Sequence, residues 1–381
     1  MIVDVHAHIF KDLNEILNHK DSTKRSMYFQ KAIGNTPATA VRKIKDNQIT
    51  KDFKLWDDKN PGVGGKLEVN LRVGKYGRFV WTEKFGDVYV NIYPPSLQEM
   101  KAPPEFMLAQ MDMAGVDSAI IQNAWLYGQM NDYISDAVKK YPYRLVGTIQ
   151  VREIDADKDD QIDELHRGVE ELGLSGLYFS TLRFFENDFK DHIDDKKFFP
   201  FWEEVRSLKI PIFFDIASQF ELGQSHFSPF ERYLFQMKHF SNWLKTFESI
   251  PCILVHGVQL GPFCNKDTFV DIPDEIWQIW KSENVFLEIL FPIQISYPRT
   301  GATVWDYPYM ETRPMIKKLY EKLGAEKLLW GSDMPNTERN CTYKQSLEYL
   351  SRYCTFIPSD VMEKIIGGNA VNLFKIKSKF L

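Results

Sequence analysis

His6 and His8 stand one residue apart at the end of the β-branched run Ile2-Val-Asp-Val5, at the start of the 381-residue chain. Side chains at i and i+2 of a strand project to the same side. The two imidazoles therefore form a pincer suited to a divalent cation, with the acidic Asp4 inside the same run. Other groups of the same kind close later apolar runs. Gln122 and Asn123 end AIIQN, Asp215 ends IFFD, His256 ends ILVH, Glu288 lies in VFLEIL and Asp333 ends LLWGSD. Imidazole nitrogens and carboxylate oxygens hold Zn²⁺ or Mn²⁺, and the same groups donate and accept protons near neutrality. Each also has a plainer reading. A strand-end His256 is a packing residue, Asp333 starts a turn before Pro335, and Asp215 and Glu288 pair with arginines or with each other, since buried carboxylates need partners. His19, His166, His192, His226 and His239 fall on helices or loops and read as surface or packing residues; His226, in the loop after the fifth strand, is the nearest of them to the candidate groups.

The runs that carry these residues alternate with helical patterns. After the first strand, apolar runs cover 116–123, 144–151, 174–180, 210–216, 251–257, 284–290 and 326–333. Near-continuous apolar strands belong to a parallel sheet covered on both faces. Between them lie amphipathic stretches such as DDQIDELHRGVEELG, and PPEFMLAQMDMAG opens on prolines and ends on Gly115 as a helix does. Eight strand–helix units in sequence predict an α/β fold, a closed (β/α)₈ TIM barrel, followed by two C-terminal helices near 343–353 and 359–366. In such a barrel the C-terminal strand ends meet at one mouth, which brings the candidate residues together.

Residues 11–96 do not follow this rhythm. The stretch 36–60 is polar without an apolar period, and 61–95 carries six glycines between KLEVNLRV, GRFVW and DVYVNIY. These read as short antiparallel strands. The expected organisation is thus a single barrel over 1–381 with a small β-rich lid inserted at 11–96, after strand one. WLYGQMN after strand two offers Trp125, Tyr127 and Asn131, with Asn123 beside them, either as walls of a pocket for a flat substrate or as an aromatic plug.

Charged residues make up 26% of the chain and the net charge of −5 is spread without long like-charge blocks, which argues against nucleic-acid or membrane partners. Four cysteines without a C-x-x-C pair exclude a zinc ribbon or a disulfide framework. With no leader pattern and no run of transmembrane length, a cytoplasmic location is expected.

VDVHAH (3–8), VHG (255–257), WGSDMP (330–335) and GGNAVNLF (367–374) resemble motifs of the amidohydrolase superfamily. More narrowly they resemble its branch of aminocarboxymuconate semialdehyde, resorcylate and carboxyvanillate decarboxylases. The resemblance covers the barrel, least of all 11–96. It implies His6, His8 and Asp333 as ligands of one divalent metal, Zn²⁺ or Mn²⁺, and His256 as general acid/base. The branch usually adds a strand-five histidine, where this chain has Asp215; either Asp215 or Glu288 is then expected to complete the shell. The family's use of arginines makes Arg78 a candidate clamp for a substrate carboxylate. The implied activity is a metal-dependent carbon–carbon lyase releasing CO₂ from a carboxylated aromatic or ring-opened aromatic acid. The alternatives are a hydrolase of a lactone or cyclic amide, with or without metal, and an inactive barrel used for binding. A homodimer is also suggested by the relatives.

Overall fold

The computed structural model describes residues 1–17, 22–35, 40–57, 59–60, 63–187, 189–216, 229–257, 264–265, 268–269, 272–290 and 306–377. His19 and His226 lie outside them. Eight strands, β1 (Val3–Ala7), β2 (Ser118–Ile121), β3 (Leu145–Gln150), β4 (Gly176–Ser180), β5 (Ile212–Asp215), β6 (Cys252–Leu254), β7 (Val285–Ile289) and β8 (Leu328–Trp330), pair in parallel in chain order. Ala7 bridges Met334, and the Asp333 N–H donates to His6 O at 2.7 Å, so the sheet returns to its first strand. The fold is the expected (β/α)₈ barrel.

Its helices are α1 (Pro104–Ala114), α2 (Asn131–Lys140), α3 (Asp159–Glu170), α4 (Phe199–Leu208), α5 (Pro229–Phe247), α6 (Asp274–Lys281), α7 (Arg313–Leu323) and α8 (Tyr343–Ser351). No helix among the described residues is long and apolar enough to cross a membrane. The chain's many rings fill the space between barrel and helices. Phe179 of β4, Phe214 of β5, Trp202 of α4 and Trp243 of α5 are all fully buried, with neighbouring centroids 4.8–5.9 Å apart. Contacts of that kind add to plain area burial in fixing how helices seat on the sheet. GGNAVNLF closes the barrel's other end. A Cβ on Gly367 would meet Met1 O at 2.0 Å, and Asn369 Nδ2 donates to Ala325 O and Leu328 O at the foot of β8.

Two strands stop three residues short of the apolar runs. β6 ends at Leu254 and β8 at Trp330, and the residues beyond them, His256 (φ +62°) and Asp333 (φ +58°), have left-handed backbones that leave the ladder. Residues between β1 and α1 form a helix (Ser22–Asn35) that the sequence pattern does not announce. They also form a four-stranded antiparallel sheet in the order Arg42–Lys43, Gly86–Asn91, Arg78–Glu83, Arg72–Val73. The polar stretch 36–60 thus contributes an edge strand. Phe79 and Trp81 point to one face of this sheet, fully buried against Phe29 and Phe53. Phe10 and Ala102 exchange backbone hydrogen bonds of 2.8 and 3.0 Å where the chain leaves and rejoins the barrel.

Arg183, just after β4, lies 3.3 Å from Glu153 Oε2 and 3.0 Å from Glu186 Oε1, with all three side chains buried. Burial pushes the Glu153 carboxyl up to about 7 even though Arg183 opposes it. Its folded pKa lies above the unfolded one, so the stability it contributes is complete below about pH 4.3 and is lost as pH rises through its folded value. Arg183→Met strands Glu153 without its cation and is expected to cost about 3–5 kcal/mol in urea unfolding at pH 8. The cost should shrink at pH 5, where Glu153 takes up a proton.

Candidate metal centre

β1 ends with both imidazoles directed inward. His6 Nδ1 is 2.8 Å from Glu288 Oε2, and His8 Nδ1 is 2.9 Å from Gln122 O. Each Nδ1 faces an acceptor, which fixes the N–H there and turns each Nε2 lone pair toward the other ring. The two Nε2 atoms are 3.1 Å apart. Asp333 Oδ1 lies 3.1 Å from His8 Nε2 and 3.6 Å from His6 Nε2. Once His6 gives up its second proton, three lone-pair donors meet with no donor hydrogen of their own between them. Among the described residues, this buried trio is the group of His, Cys, Asp or Glu side chains that converges closely enough to hold an ion. Two of the three spacings, 3.1 Å each, fall in the range of about 3.0–3.4 Å that bonds of about 2.1 Å to a first-row divalent metal set between neighbouring ligands, and the third, 3.6 Å, lies just outside it.

Electrostatics follow from the burial. Burial works against a charge on His6, but Glu288 and Asp333 outweigh it and raise its pKa to about 9. For Asp333 burial likewise opposes ionisation, and His6, His8 and His256 hold the carboxyl well below the ordinary range. Asn336 Nδ2 donates to Asp333 Oδ1 at 2.9 Å. Underneath, the fully buried Asp4 ties β1 to β8: it accepts from the Ser332 hydroxyl and N–H, the Tyr343 hydroxyl and the His6 N–H. Burial raises its pKa to about 6 against those hydrogen bonds.

Glu288 sits behind His6, not within the trio. Its Oε1 accepts from Gln122 Nε2 (2.6 Å), while Oε2 meets His6 Nδ1 and accepts from the His256 N–H (2.9 Å). Asp215 is also outside the trio. It accepts from the Tyr178 hydroxyl (3.1 Å) and the Ser180 hydroxyl (2.8 Å), and its Oδ1 is 3.7 Å from His256 Nδ1. The expectation that one of these two carboxylates completes the shell thus meets a geometry in which both face the far side of an imidazole. The His256 ring lies 5.3 Å from that of His6 and, with its side chain 32% exposed, faces more open space than His6, His8 or Asp333. The turn that carries it is tight. Gly257 has φ +53°, and a Cβ there would meet Glu288 O at 1.9 Å.

The remaining candidates divide. The Tyr127 ring is 5.0 Å from that of His8 and stacks on Phe10 at 4.5 Å. Trp125 is set further out, against Tyr28, Phe185 and the Arg183 guanidinium. Both are buried, as a packed plug would be. Asn123 donates to Asn131 Oδ1 at 2.8 Å, and its own buried Oδ1 has no partner among the described residues. Arg78 belongs to the inserted sheet, on the face opposite Phe79, where its guanidinium lies 4.2 Å over Tyr89; among the described residues none of its contacts reaches this cluster. The inserted segment touches the site through other residues. Tyr93 packs on Phe10 and Tyr127, and Arg25 Nε donates to Trp125 O. Tyr178, Ser180 and Asn336 escape a reading of strand-end residues. The first two were legible only as a polar i, i+2 pair on a strand whose register sets Ser180 beside Asp215.

A parallel eight-stranded barrel with two histidines from its first strand and an aspartate beyond its last defines a class of metal-site barrel proteins. The sequence matches the family profile described as Amidohydrolase over residues 3–376, and the chain belongs to that family. No curated protein matches it. Among solved structures it is similar to a probable 2-pyrone-4,6-dicarboxylic acid hydrolase from Acinetobacter baumannii, at 16% identity over 73% of this chain and 90% of that one, TM-score 0.52. It is similar too to a 5-carboxyvanillate decarboxylase from Novosphingobium aromaticivorans with bound manganese (17%, 71% and 80%, TM-score 0.51). A third is 2,6-dihydroxybenzoate decarboxylase from Rhizobium (17%, 72% and 89%, TM-score 0.52). At these identities the likeness is one of fold.

Proposed function

We propose that the chain is a metal-dependent decarboxylase of a carboxylated aromatic or ring-opened aromatic acid. The observation that carries the reading is the meeting of His6 Nε2, His8 Nε2 and Asp333 Oδ1 with a more exposed imidazole, His256, beside them. His6, His8 and Asp333 would hold one divalent ion, Mn²⁺ or Zn²⁺. Such an ion supplies Lewis-acid polarisation of the substrate's oxygens and fixes their orientation. Glu288 and the Gln122 carbonyl hold the two ligand rings in register by their Nδ1 positions. The carbon–carbon bond breaks with its electron pair left on the substrate carbon, CO₂ departs, and the proton from His256 takes its place. Tyr127 and Asn123 are assigned to the wall beside the substrate, and the inserted segment, through Tyr93, to excluding water there. The folds it resembles include two proteins named as decarboxylases of hydroxylated aromatic acids, one of them with manganese.

The test is incubation of Mn²⁺- or Zn²⁺-loaded protein with hydroxylated benzoic acids and unsaturated dicarboxylic acids, scoring CO₂ and uptake of solvent deuterium at the vacated carbon. Both are expected with one substrate class. Product formation with uptake of water and no CO₂ would replace this reading by hydrolysis, for which a resembling structure is also named.

Ion binding should depend on pH in a direction set by His6. Its proton is held up to about pH 9 in the ion-free chain and must leave for the ion to bind, so apparent affinity should fall about tenfold per pH unit below that value. Mn²⁺ titrations at pH 9, 8 and 7 read this directly; a flat profile would contradict the raised pKa of His6.

A further inference from the structure

Asp215 occupies the strand end where a metal ligand is expected, yet its contacts among the described residues point to another task. Its Oδ2 accepts from the Tyr178 hydroxyl at 3.1 Å and from the Ser180 hydroxyl at 2.8 Å, two donors on β4 that fix the carboxylate's plane. The Thr181 hydroxyl donates to the Asp215 carbonyl oxygen at 3.2 Å. The other carboxylate oxygen, Oδ1, is 3.7 Å from His256 Nδ1. It is absent from the trio that converges closely enough for an ion.

His256 is held independently through its backbone. Its left-handed φ of +62° and the N–H donated to Glu288 Oε2 aim the residue, and the glycine after it is pressed on the Glu288 carbonyl. A backbone so fixed leaves the ring one main freedom, rotation about its own side-chain bonds. The Asp215 carboxylate stands 3.7 Å off the Nδ1 edge, on the side toward which an Nδ1–H would turn. At 3.7 Å the pair is not hydrogen-bonded; catalytic contacts are often long without substrate and tighten when it binds.

We propose that Asp215 is a positioning residue for His256: buttressed by Tyr178 and Ser180, it holds the imidazole with Nδ1–H toward itself and assigns Nε2 to exchange the proton with substrate. This rests on the reading of His256 as the proton donor. No atom passes through Asp215. It keeps its negative charge, and the proton delivered from Nε2 to carbon is regained from solvent. The carboxylate therefore stands for orientation and tautomer, the part a buried aspartate plays toward a catalytic histidine on unrelated folds.

The experiment compares the unaltered chain with Asp215→Asn, Asp215→Glu and the double variant Tyr178→Phe/Ser180→Ala, each loaded with Mn²⁺. Asp215→Asn should retain one ion per chain, lose about 10²-fold in kcat and change KM by less than about threefold. Asp215→Glu should recover part of the loss, and the double variant should lose less than Asp215→Asn. A second readout needs no substrate: ¹⁵N spectra of the ion-free proteins should place the neutral His256 proton on Nδ1 in the unaltered chain and show mixed tautomers in Asp215→Asn. Loss of the ion from Asp215→Asn would make Asp215 a ligand and overturn the proposal. Retained ion with unchanged kcat and tautomer would overturn it as well. If no acid is decarboxylated at all, the proposed function fails, and the tautomer and ion content still judge Asp215.

Discussion

His256→Asn is expected to lower CO₂ release about 10²–10⁴-fold, the range contributed by a positioned general acid, with ion content unchanged. The separation of the two effects follows from where His256 sits. Its ring is outside the His6–His8–Asp333 trio, and the hydrogen bond that ties it to the ligand sphere runs from its backbone N–H to Glu288, which asparagine keeps. What is lost is an imidazole facing the open side of the site, and with it the proton for the vacated carbon. The assay is stopped-time CO₂ quantification beside metal analysis of the same sample. An unchanged rate would remove His256 from the chemistry and favour the hydrolytic alternative or a barrel that only binds. Loss of the ion would place His256 in the coordination sphere.

Asp333→Ala should abolish both ion and activity. Asp333 is the anion of the trio, held ionised by three imidazoles against the cost of its burial. Its removal leaves two uncharged ligands, His6 and His8, with their Nε2 atoms 3.1 Å apart and the Glu288 carboxylate only on the far side of the His6 ring. Outer-shell changes cost about 10–100-fold in metal affinity, and loss of a direct ligand should exceed that. Alanine suits the left-handed backbone at this position less well than aspartate and loses the Asn336 contact, so a modest fall in Tm is expected with it. Full retention of ion and rate in Asp333→Ala would exclude the proposed ligand set. Asp333→Asn separates charge from shape: it keeps the turn's hydrogen-bonding side chain and should still lose most of the ion.

The strand-end residues were legible because a parallel barrel leaves a simple rule. Each apolar run must end at the same mouth, so His6, His8, His256 and Asp333 had to meet whatever the intervening helices did. Their partners were not legible to the same degree. Whether Glu288 faces a metal or the far nitrogen of His6 depends on the register that sets Glu288 against Leu329 and on the rotation of one imidazole. Asp215 turns on two hydroxyls from the neighbouring strand, Tyr178 and Ser180, which no spacing within its own run reveals. The left-handed backbones of His256 and Asp333 carry only a weak residue-type signal, since His and Asp enter that region more often than most residues but far less than glycine. In the insertion, the alternating runs announced strands correctly, but which face each presents was set by packing: Phe79 turned toward Phe29, and Arg78 therefore turned away toward Tyr89. The helix Ser22–Asn35 has too little apolar periodicity to be seen before folding places Tyr28 against Trp125.

The most direct measurement is a Mn²⁺ titration of chelator-treated protein at pH 8, followed by electron paramagnetic resonance of free Mn²⁺, for the unaltered chain and for His6→Ala/His8→Ala. One saturable site per chain, absent from the double variant, is the predicted result. A site of equal affinity that persists in the double variant, or no saturable site in the unaltered chain, would contradict the assignment of His6, His8 and Asp333 as the metal centre.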